Sequence, residues 1–355
     1  MERLDEVWVL GGTGRTGTLA AAILASRGAR TVLVGRNAAR LEATALETGA
    51  TRTLTADDPL AMADAIRHEK PAVVVNTVGP FATTAELLAE ASLPTTSYLD
   101  IANDMTSASA IIGLDAKARQ HGRTLLTGAG FGVVGTEAPL ALLCRDRPAP
   151  LRVRVDSAAS MAIRAGVLGQ ALSDTMIGMF SEPGRRVTGG RFVPAPIGSS
   201  PSPLTLPDGS TVVTGAWPSG DLIAAHRTSG APEIIAASAE IPTARGARAG
   251  LPVVRALLRI GALRRFAARR LADVKVGDRP MPRPSTWGHA SAEWADGRTQ
   301  HAWLRAGEAG DFTARVLAES ALRILDGHAT AGAGTPIQLL GLDLVEAAGG
   351  EVYLT

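Results

Sequence analysis

The chain has 355 residues, 46% of them hydrophobic and 20% charged, with a formal net charge of +2. That length and apolar content build a large core and favour two domains. So small a charge excess, with a sequence pI near 9.0, lacks the dense basic surface of a nucleic-acid binder, and the single cysteine, Cys144, forms neither an intramolecular disulfide nor a zinc cluster.

Met1 to Glu6 is acidic and polar, unlike a secretory leader, and no apolar run approaches the ~20 residues that span a bilayer. A cytoplasmic protein that does not cross a membrane is expected. From Glu6 to about Leu143, short β-branched runs alternate with helical stretches, the pattern of a parallel sheet wound by right-handed crossovers. The predicted strand cores are Val7 to Leu10, Thr31 to Val34, Arg52 to Thr55, Ala72 to Val78, Thr96 to Ile101 and Thr124 to Thr127. Asp58 before Pro59 reads as an N-cap, Thr83 and Glu86 have capping-box spacing, and Gly28 and Gly122 stand where helices should stop. Six strands predict an α/β, doubly wound Rossmann domain over residues 1–148.

After Pro148 the pattern changes, predicting a second, α+β domain over 149–310 built on a mostly antiparallel sheet. A strand over Leu151 to Val155 precedes a predicted helix over Gly166 to Phe180. Glu182 to Gly209 is rich in Pro, Gly and Ser and ends in the turn sequence Pro207, Asp208, Gly209, which predicts loops and a hairpin. Asp296 and Gly297 predict a second hairpin, between a strand ending near Trp294 and one over Thr299 to Leu304. Asp311 is the expected cap of an amphipathic helix ending at Gly327, and residues 311–355 are expected to pack back on the first domain.

The first strand runs into Gly11, Gly12, Thr13, Gly14, Arg15, Thr16 and Gly17, with GxGxxG at Gly12, Gly14 and Gly17. Between a strand and a helix this spacing gives a tight turn, a bare backbone for a pyrophosphate, and close helix packing, with the helix N-terminus holding negative charge. The second strand ends at Gly35 and Arg36, where an NAD-binding protein would place an acid against the ribose 2′-hydroxyl. A guanidinium there suits a 2′-phosphate, and Asn37 with Arg40 adds a cap and a second cation, so NADP(H) is the expected cofactor. The alternative for Arg36 and Arg40 is a solvated surface pair. Asp57 either approaches the adenine or closes a turn.

Asn76, Thr77, Val78, Gly79, Pro80 and Phe81 form an NxxGPF segment, and here the sequence resembles the saccharopine dehydrogenase-like family of NADP-dependent reductases. Tyr98, Leu99 and Asp100 match that family's Tyr-x-Asp, and Gly128, Ala129, Gly130 and Phe131 match its glycine-rich turn after the sixth strand. The resemblance implies that Thr77, Val78, Gly79, Pro80 and Phe81, with Gly130 and Phe131, lie beside the cofactor. Ala102 and Asn103 replace a Gly-Glu pair common in the family, and Gly135 replaces a common proline. The match is specific over Val7 to Glu137 and architectural from Leu151 to Arg305.

Tyr98, Asp100 and Asp104 follow the fifth strand on the ligand-binding edge and are the candidate catalytic groups. Tyr98 is otherwise a core residue with a satisfied hydroxyl, and Asp104 a helix cap. Neither tyrosine has the lysine four residues on that a short-chain dehydrogenase uses, and no GxSxG, HExxH or paired-cysteine pattern is present, so no metal is expected. His226, His289 and His301 either line a cleft or sit on strand faces. The expected activity is NADPH-dependent reduction of a C=N bond in a small or biosynthetic substrate. The alternatives are an enoyl reductase acting on a carrier- or CoA-bound chain, and a redox sensor that binds NADP(H) without turnover. Ile241 to Ala272 holds eight arginines and no acid, with Val254, Leu257, Leu258, Leu263, Phe266 and Leu271 interleaved. This predicts a basic amphipathic helix, its core at 251–272, for an acidic carrier protein, a coenzyme A phosphate or an anionic lipid surface, or else a solvated helix over the second sheet. A homodimer is one expected assembly.

Overall fold

Val7, Trp8, Val9 and Leu10 are all fully buried because β1 (Glu6–Leu10) runs through the centre of a parallel sheet covered on both faces. The computed structural model describes residues 5–163, 165–167, 173, 177–178 and 183–355. It separates into two compact units, one formed by Met1–Val134 with Gly310–Gly350 and the other by Gly135–Ala309 with Glu351–Thr355.

In the first unit β1 is followed by α1 (Arg15–Ser26), β2 (Arg30–Gly35), α2 (Ala38–Thr48), β3 (Arg52–Thr55), α3 (Pro59–Glu69), β4 (Val73–Asn76) and α4 (Phe81–Ser92). Then come β5 (Ser97–Asp100), α5 (Met105–Gly113), α6 (Asp115–Gln120), β6 (Thr124–Leu126) and α7 (Phe131–Cys144), which runs on into the second unit. The strand order from one edge is β6-β5-β4-β1-β2-β3, so the winding reverses between β1 and β4. Among the described residues a seventh strand, Gly332–Gly334, extends this sheet beside β6. The expectation of six strands is corrected here: Gly332, Ala333 and Gly334 carry none of the β-branched residues that mark a strand in sequence.

Local signals set the helix ends. Asp58 accepts a hydrogen bond from the Ala61 amide at 2.9 Å with Pro59 in the first turn, and Gly49 closes α2 with φ at 76°. The Thr83/Glu86 box does not form, because α4 begins two residues earlier behind Pro80 and Thr83 donates back to the Pro80 carbonyl. The buried Glu6 carboxylate accepts from the Trp8 indole at 3.0 Å and lies 2.7 Å from the Arg52 guanidinium, tying β1 to β3.

The second unit holds β7 (Arg152–Ala158), β8 (Gly166–Val167), β9 (Arg185–Thr188), β10 (Arg191–Pro194), β11 (Ser202–Thr205) and β12 (Thr211–Ala216). α8 (Gly220–Ser229), β13 (Glu233–Ser238), α9 (Arg245–Leu258), α10 (Gly261–Ala272), β14 (Lys275–Val276), β15 (Thr286–Glu293) and β16 (Thr299–Ala306) follow. Its main sheet runs β10-β9-β13-β7-β15-β16 and ends on the C-terminal strand Glu351–Leu354. The β13–β7 pair is parallel and the other pairs antiparallel, giving a mixed sheet. Both predicted hairpins form, one between β11 and β12 across Pro207 to Gly209, the other between β15 and β16 across Asp296 and Gly297.

Four expectations change. The stretch predicted as a helix over Gly166 to Phe180 opens with β8, paired antiparallel to β14, and most of the remainder lies outside the described residues. The single basic helix is two, because Ile260 takes an extended conformation and Gly261, a poor helix former, starts α10. The helix predicted from Asp311 is α11 (Ala309–Leu325), so Asp311 lies in its first turn, where its charge complements the dipole, and is not its cap. Glu351–Leu354, expected on the first domain, pairs with β16.

Candidate functional site

The loop between β1 and α1 is shaped by contacts that leave no room for side chains at three of its glycines. Gly11 has φ at +77°, and a Cβ there would stand 2.6 Å from Thr77 Oγ1. At Gly12 a Cβ would meet the Leu33 side chain at 2.9 Å, and at Gly17 the Gly11 carbonyl at 2.5 Å. Gly14 differs. A Cβ there has one neighbour, the Gly11 carbonyl oxygen at 3.3 Å, and the residue has ordinary extended torsions, φ −84° and ψ 159°. The fold therefore demands glycine less strictly at position 14 than at 11, 12 or 17, through one tight contact on a backbone oxygen. Gly14 is also the N-cap of α1 and offers no side chain to the first amides, Arg15, Thr16 and Gly17.

Cations gather on one side of this loop. Arg36 ends the β2 turn, is exposed, and has no hydrogen-bond or ion-pair partner among the described residues. Asn37 caps α2 by accepting from the Arg40 amide at 2.9 Å, and the Arg40 guanidinium donates to the Thr13 carbonyl at 3.4 Å, so Arg40 leans over the glycine loop. Asp57 is exposed just beyond β3.

On the other side, the Thr77 hydroxyl donates to the Leu10 carbonyl at 2.7 Å, placing the NxxGPF segment directly against the glycine loop at the point where the sheet reverses. Asn76 is fully buried; its Oδ1 accepts from the Val78 amide at 2.9 Å and its Nδ2 donates to the Tyr98 hydroxyl at 2.9 Å. Tyr98 in turn donates to Asp100 Oδ2 at 3.0 Å. Asp100 Oδ1 accepts from the Ala102 amide, the Thr127 hydroxyl and the Gly128 amide at 3.0, 2.9 and 3.2 Å. The Asn of NxxGPF, the Tyr-x-Asp pair and the Gly128 turn are thus one network joining the ends of β4, β5 and β6. Neither Tyr98 nor Asp100 has an exposed atom, and Asp104 accepts from the Ser107 amide at 2.8 Å as the cap of α5. All three side chains are engaged within the unit. Gly130 and Phe131 belong to the same edge, where a Cβ on Gly130 would press on Thr313 and the Phe131 amide donates to the Thr313 hydroxyl at 3.1 Å.

Burial pushes the Asp100 carboxyl up from 3.8 to about 6 despite the hydrogen bonds that oppose it, and burial followed by the Asp100 charge pushes Tyr98 well above its ordinary value. A carboxyl that holds its proton more tightly when folded contributes stability that is complete below about pH 3.8 and lost as pH rises through about 6. The stability of the native chain minus that of Asp100→Asn is therefore expected to fall by about 3 kcal/mol from acid to neutral pH. Denaturant unfolding of both proteins at several pH values measures this. The difference is the quantity to follow, since Asp221, raised by burial to about 7, titrates over the same range in both.

The second unit has its own buried polar cluster. His289 Nδ1 lies 3.0 Å from Asp156 Oδ2 and its Nε2 lies 3.1 Å from His301 Nδ1, with the Trp303 ring 4.4 Å from the His289 ring. Burial opposes the Asp156 charge, but hydrogen bonds from His289 and Thr214 and the neighbouring Arg154 outweigh it and hold the carboxyl below its usual range. His301 is pushed down by burial and by His289. His226 sits apart from this pair, its ring edge-on to Phe192 at 5.2 Å. Sequence reading named the histidines but not Asp156, because only the register that sets Asp156 opposite His289 brings them together. Asn76 and Thr127 were missed as organisers in the first unit. The Asn of NxxGPF was the available signal, but its partner is 22 residues away.

Among the described residues no helix is long and apolar enough to cross a membrane, and no group of three or more His, Cys, Asp or Glu is placed to hold a metal ion. No protein-family model and no curated protein matches the sequence. By structure the chain is similar to apo saccharopine dehydrogenase (L-Glu forming) from Saccharomyces cerevisiae, with a TM-score of 0.64 and 12% identity over 99% of this chain and 100% of that one. A short-chain dehydrogenase from Sphingobium yanoikuyae in complex with NADPH overlaps 34% of this chain and 70% of its own, at 19% identity and a TM-score of 0.30. The whole-chain match makes the fold saccharopine dehydrogenase-like, a Rossmann-type parallel sheet followed by a mixed-sheet unit.

Proposed function

We propose that this chain is an NADP(H)-dependent oxidoreductase that reduces a C=N bond in a small or biosynthetic intermediate. The carrying observation is Gly14, the least crowded glycine of the loop, at a helix start with no side-chain cap beside two arginines. The Thr16 and Gly17 amides at the start of α1 hold the diphosphate, the Gly12 and Gly14 amides being engaged by the Val34 and Gly11 carbonyls, and Arg36 with Arg40 receives the 2′-phosphate, where paired charge-assisted hydrogen bonds favour a guanidinium. Asn37 fixes the start of α2 under these cations, and Asp57 borders the adenine. Thr77 to Phe81, with Gly130 and Phe131, forms the nicotinamide side.

When bound, the dinucleotide supplies the hydride. Tyr98 and Asp100 contribute by holding the NxxGPF segment and the Gly128 turn in one register, and Asp104 by fixing the start of α5. These are positioning roles. With all three engaged internally, the edge suits an acceptor that brings its own proton, as an iminium does, better than an enoyl thioester, which requires a proton delivered to carbon.

Steady-state oxidation of NADPH with cyclic imines, with amine and 2-oxoacid mixtures, and with enoyl thioesters tests this. Turnover with the imine-forming substrates is expected. Turnover confined to enoyl thioesters moves the reading to C=C reduction, and tight binding of both redox forms with no turnover on any substrate makes the chain a nucleotide sensor.

A further inference from the structure

α9 and α10 carry more apolar surface than the second unit uses. On their inner side Leu258 and Ala268 are buried, and Leu251 packs on the cluster of Ile197, Trp217 and Ile241. A helix covering a sheet needs that one apolar stripe. A second stripe faces outward: Val253 is 62% exposed, Leu257 49%, Ile260 53% and Phe266 58%. Val253 and Leu257 are four residues apart on α9, and Phe266 lies three residues after Leu263 on α10, so each helix presents its exposed apolar groups along one face. Guanidinium groups border them. Arg269 and Arg270 are exposed beside Phe266, the Arg270 group 5.3 Å from the ring centroid, and the whole Ile241 to Ala272 segment has eight arginines and no acid.

We infer that this helix pair is a docking face for an anionic lipid surface. Apolar side chains of this size enter the boundary between headgroups and acyl chains, while arginines at the same level keep their heads among the phosphates. A second copy of the chain fits the patch poorly, because a two-fold contact sets the same arginines against each other. An acidic protein matches the charge but gives no reason for bulky apolar groups spread along two helices and the Arg259–Ile260 link. The inference is independent of the cofactor and of the reaction.

The test is co-sedimentation of the full chain with phosphatidylcholine vesicles and with mixed phosphatidylcholine and phosphatidylglycerol vesicles, in low and high salt. Retention on the mixed vesicles alone, weakened by salt, is expected. Phe266→Glu and, separately, Arg269→Glu with Arg270→Glu should each lower the partition about tenfold or more. Leu46→Glu, on an 88% exposed residue of the first unit, should leave it unchanged. All altered residues are exposed, and circular dichroism verifies the fold of each variant. No retention of the native chain overturns the inference, as does equal retention on both vesicle types or retention unaffected by Phe266→Glu and by the Arg269→Glu, Arg270→Glu variant. It is also overturned by a dimer that Phe266→Glu dissociates in sedimentation velocity, or by saturable capture of an acidic carrier protein with vesicles ignored.

Discussion

Gly14→Val is expected to lower NADPH affinity by about 100-fold or more, roughly 3 kcal/mol, while the protein stays folded. The backbone at position 14 is in the extended region that valine favours, and a Cβ there meets one atom, the Gly11 oxygen at 3.3 Å, a tight contact that a small shift of the turn relieves. Replacing a glycine N-cap costs about 1 kcal/mol of stability at most. The two γ-methyl groups then stand where the diphosphate must approach, and the first amides of α1 lose their anion. Calorimetric titration with NADPH beside thermal unfolding separates the effects. Gly17→Ala is the contrasting control: its Cβ stands 2.5 Å from the Gly11 oxygen and 3.1 Å from Gly12 Cα, all backbone, so stability and binding should fall together. If Gly14→Val binds NADPH as the native chain does, the diphosphate does not lie on this loop.

Arg36→Asp should reverse the nucleotide preference, changing the ratio of NADPH to NADH affinity by about 3 kcal/mol, roughly 100-fold. Two terms act in one direction. The variant removes a bidentate donor from the 2′-phosphate and supplies a carboxylate that repels it yet accepts from a free ribose 2′-hydroxyl. Because Arg36 is exposed, solvent screens part of the effect, and added salt should shrink it. Arg36→Lys, which keeps the charge but loses the planar fork, should fall between. An unchanged ratio in Arg36→Asp would remove the 2′-phosphate from the end of β2.

Much of the first unit is legible because its determinants are local. Val7 to Leu10 and Val73 to Val75 announce buried strands by composition, and Gly12, Gly14 and Gly17 acquire meaning from the strand before them and the helix after. What sequence hides is what depends on pairing between distant residues. Tyr98 and Asp100 stand out as polar groups near the carboxyl end of a strand, yet their function in the fold is fixed by Asn76, Thr127 and the Gly128 amide, up to 28 residues away. Asp156 is one of many acids until the register of β7 against β15 sets it opposite His289. The two-helix break at Ile260 and the strand at Gly332 to Gly334 escape for another reason: their residues carry weak intrinsic preference, and tertiary contacts decide.

The strand Gly332–Gly334 also bears on how the molecule is made. It pairs with Thr124 to Leu126, and Thr313 bonds Phe131, so the parallel sheet lacks its outer member until Gly332 to Gly334 has been synthesised. The chain up to about residue 130 must wait, with the β6 edge unpaired, while roughly 200 more residues are synthesised. Neither half of this protein is therefore a self-contained product of one continuous stretch of the gene, and a clone ending after the glycine loops and their helices would yield a sheet with a raw, sticky margin.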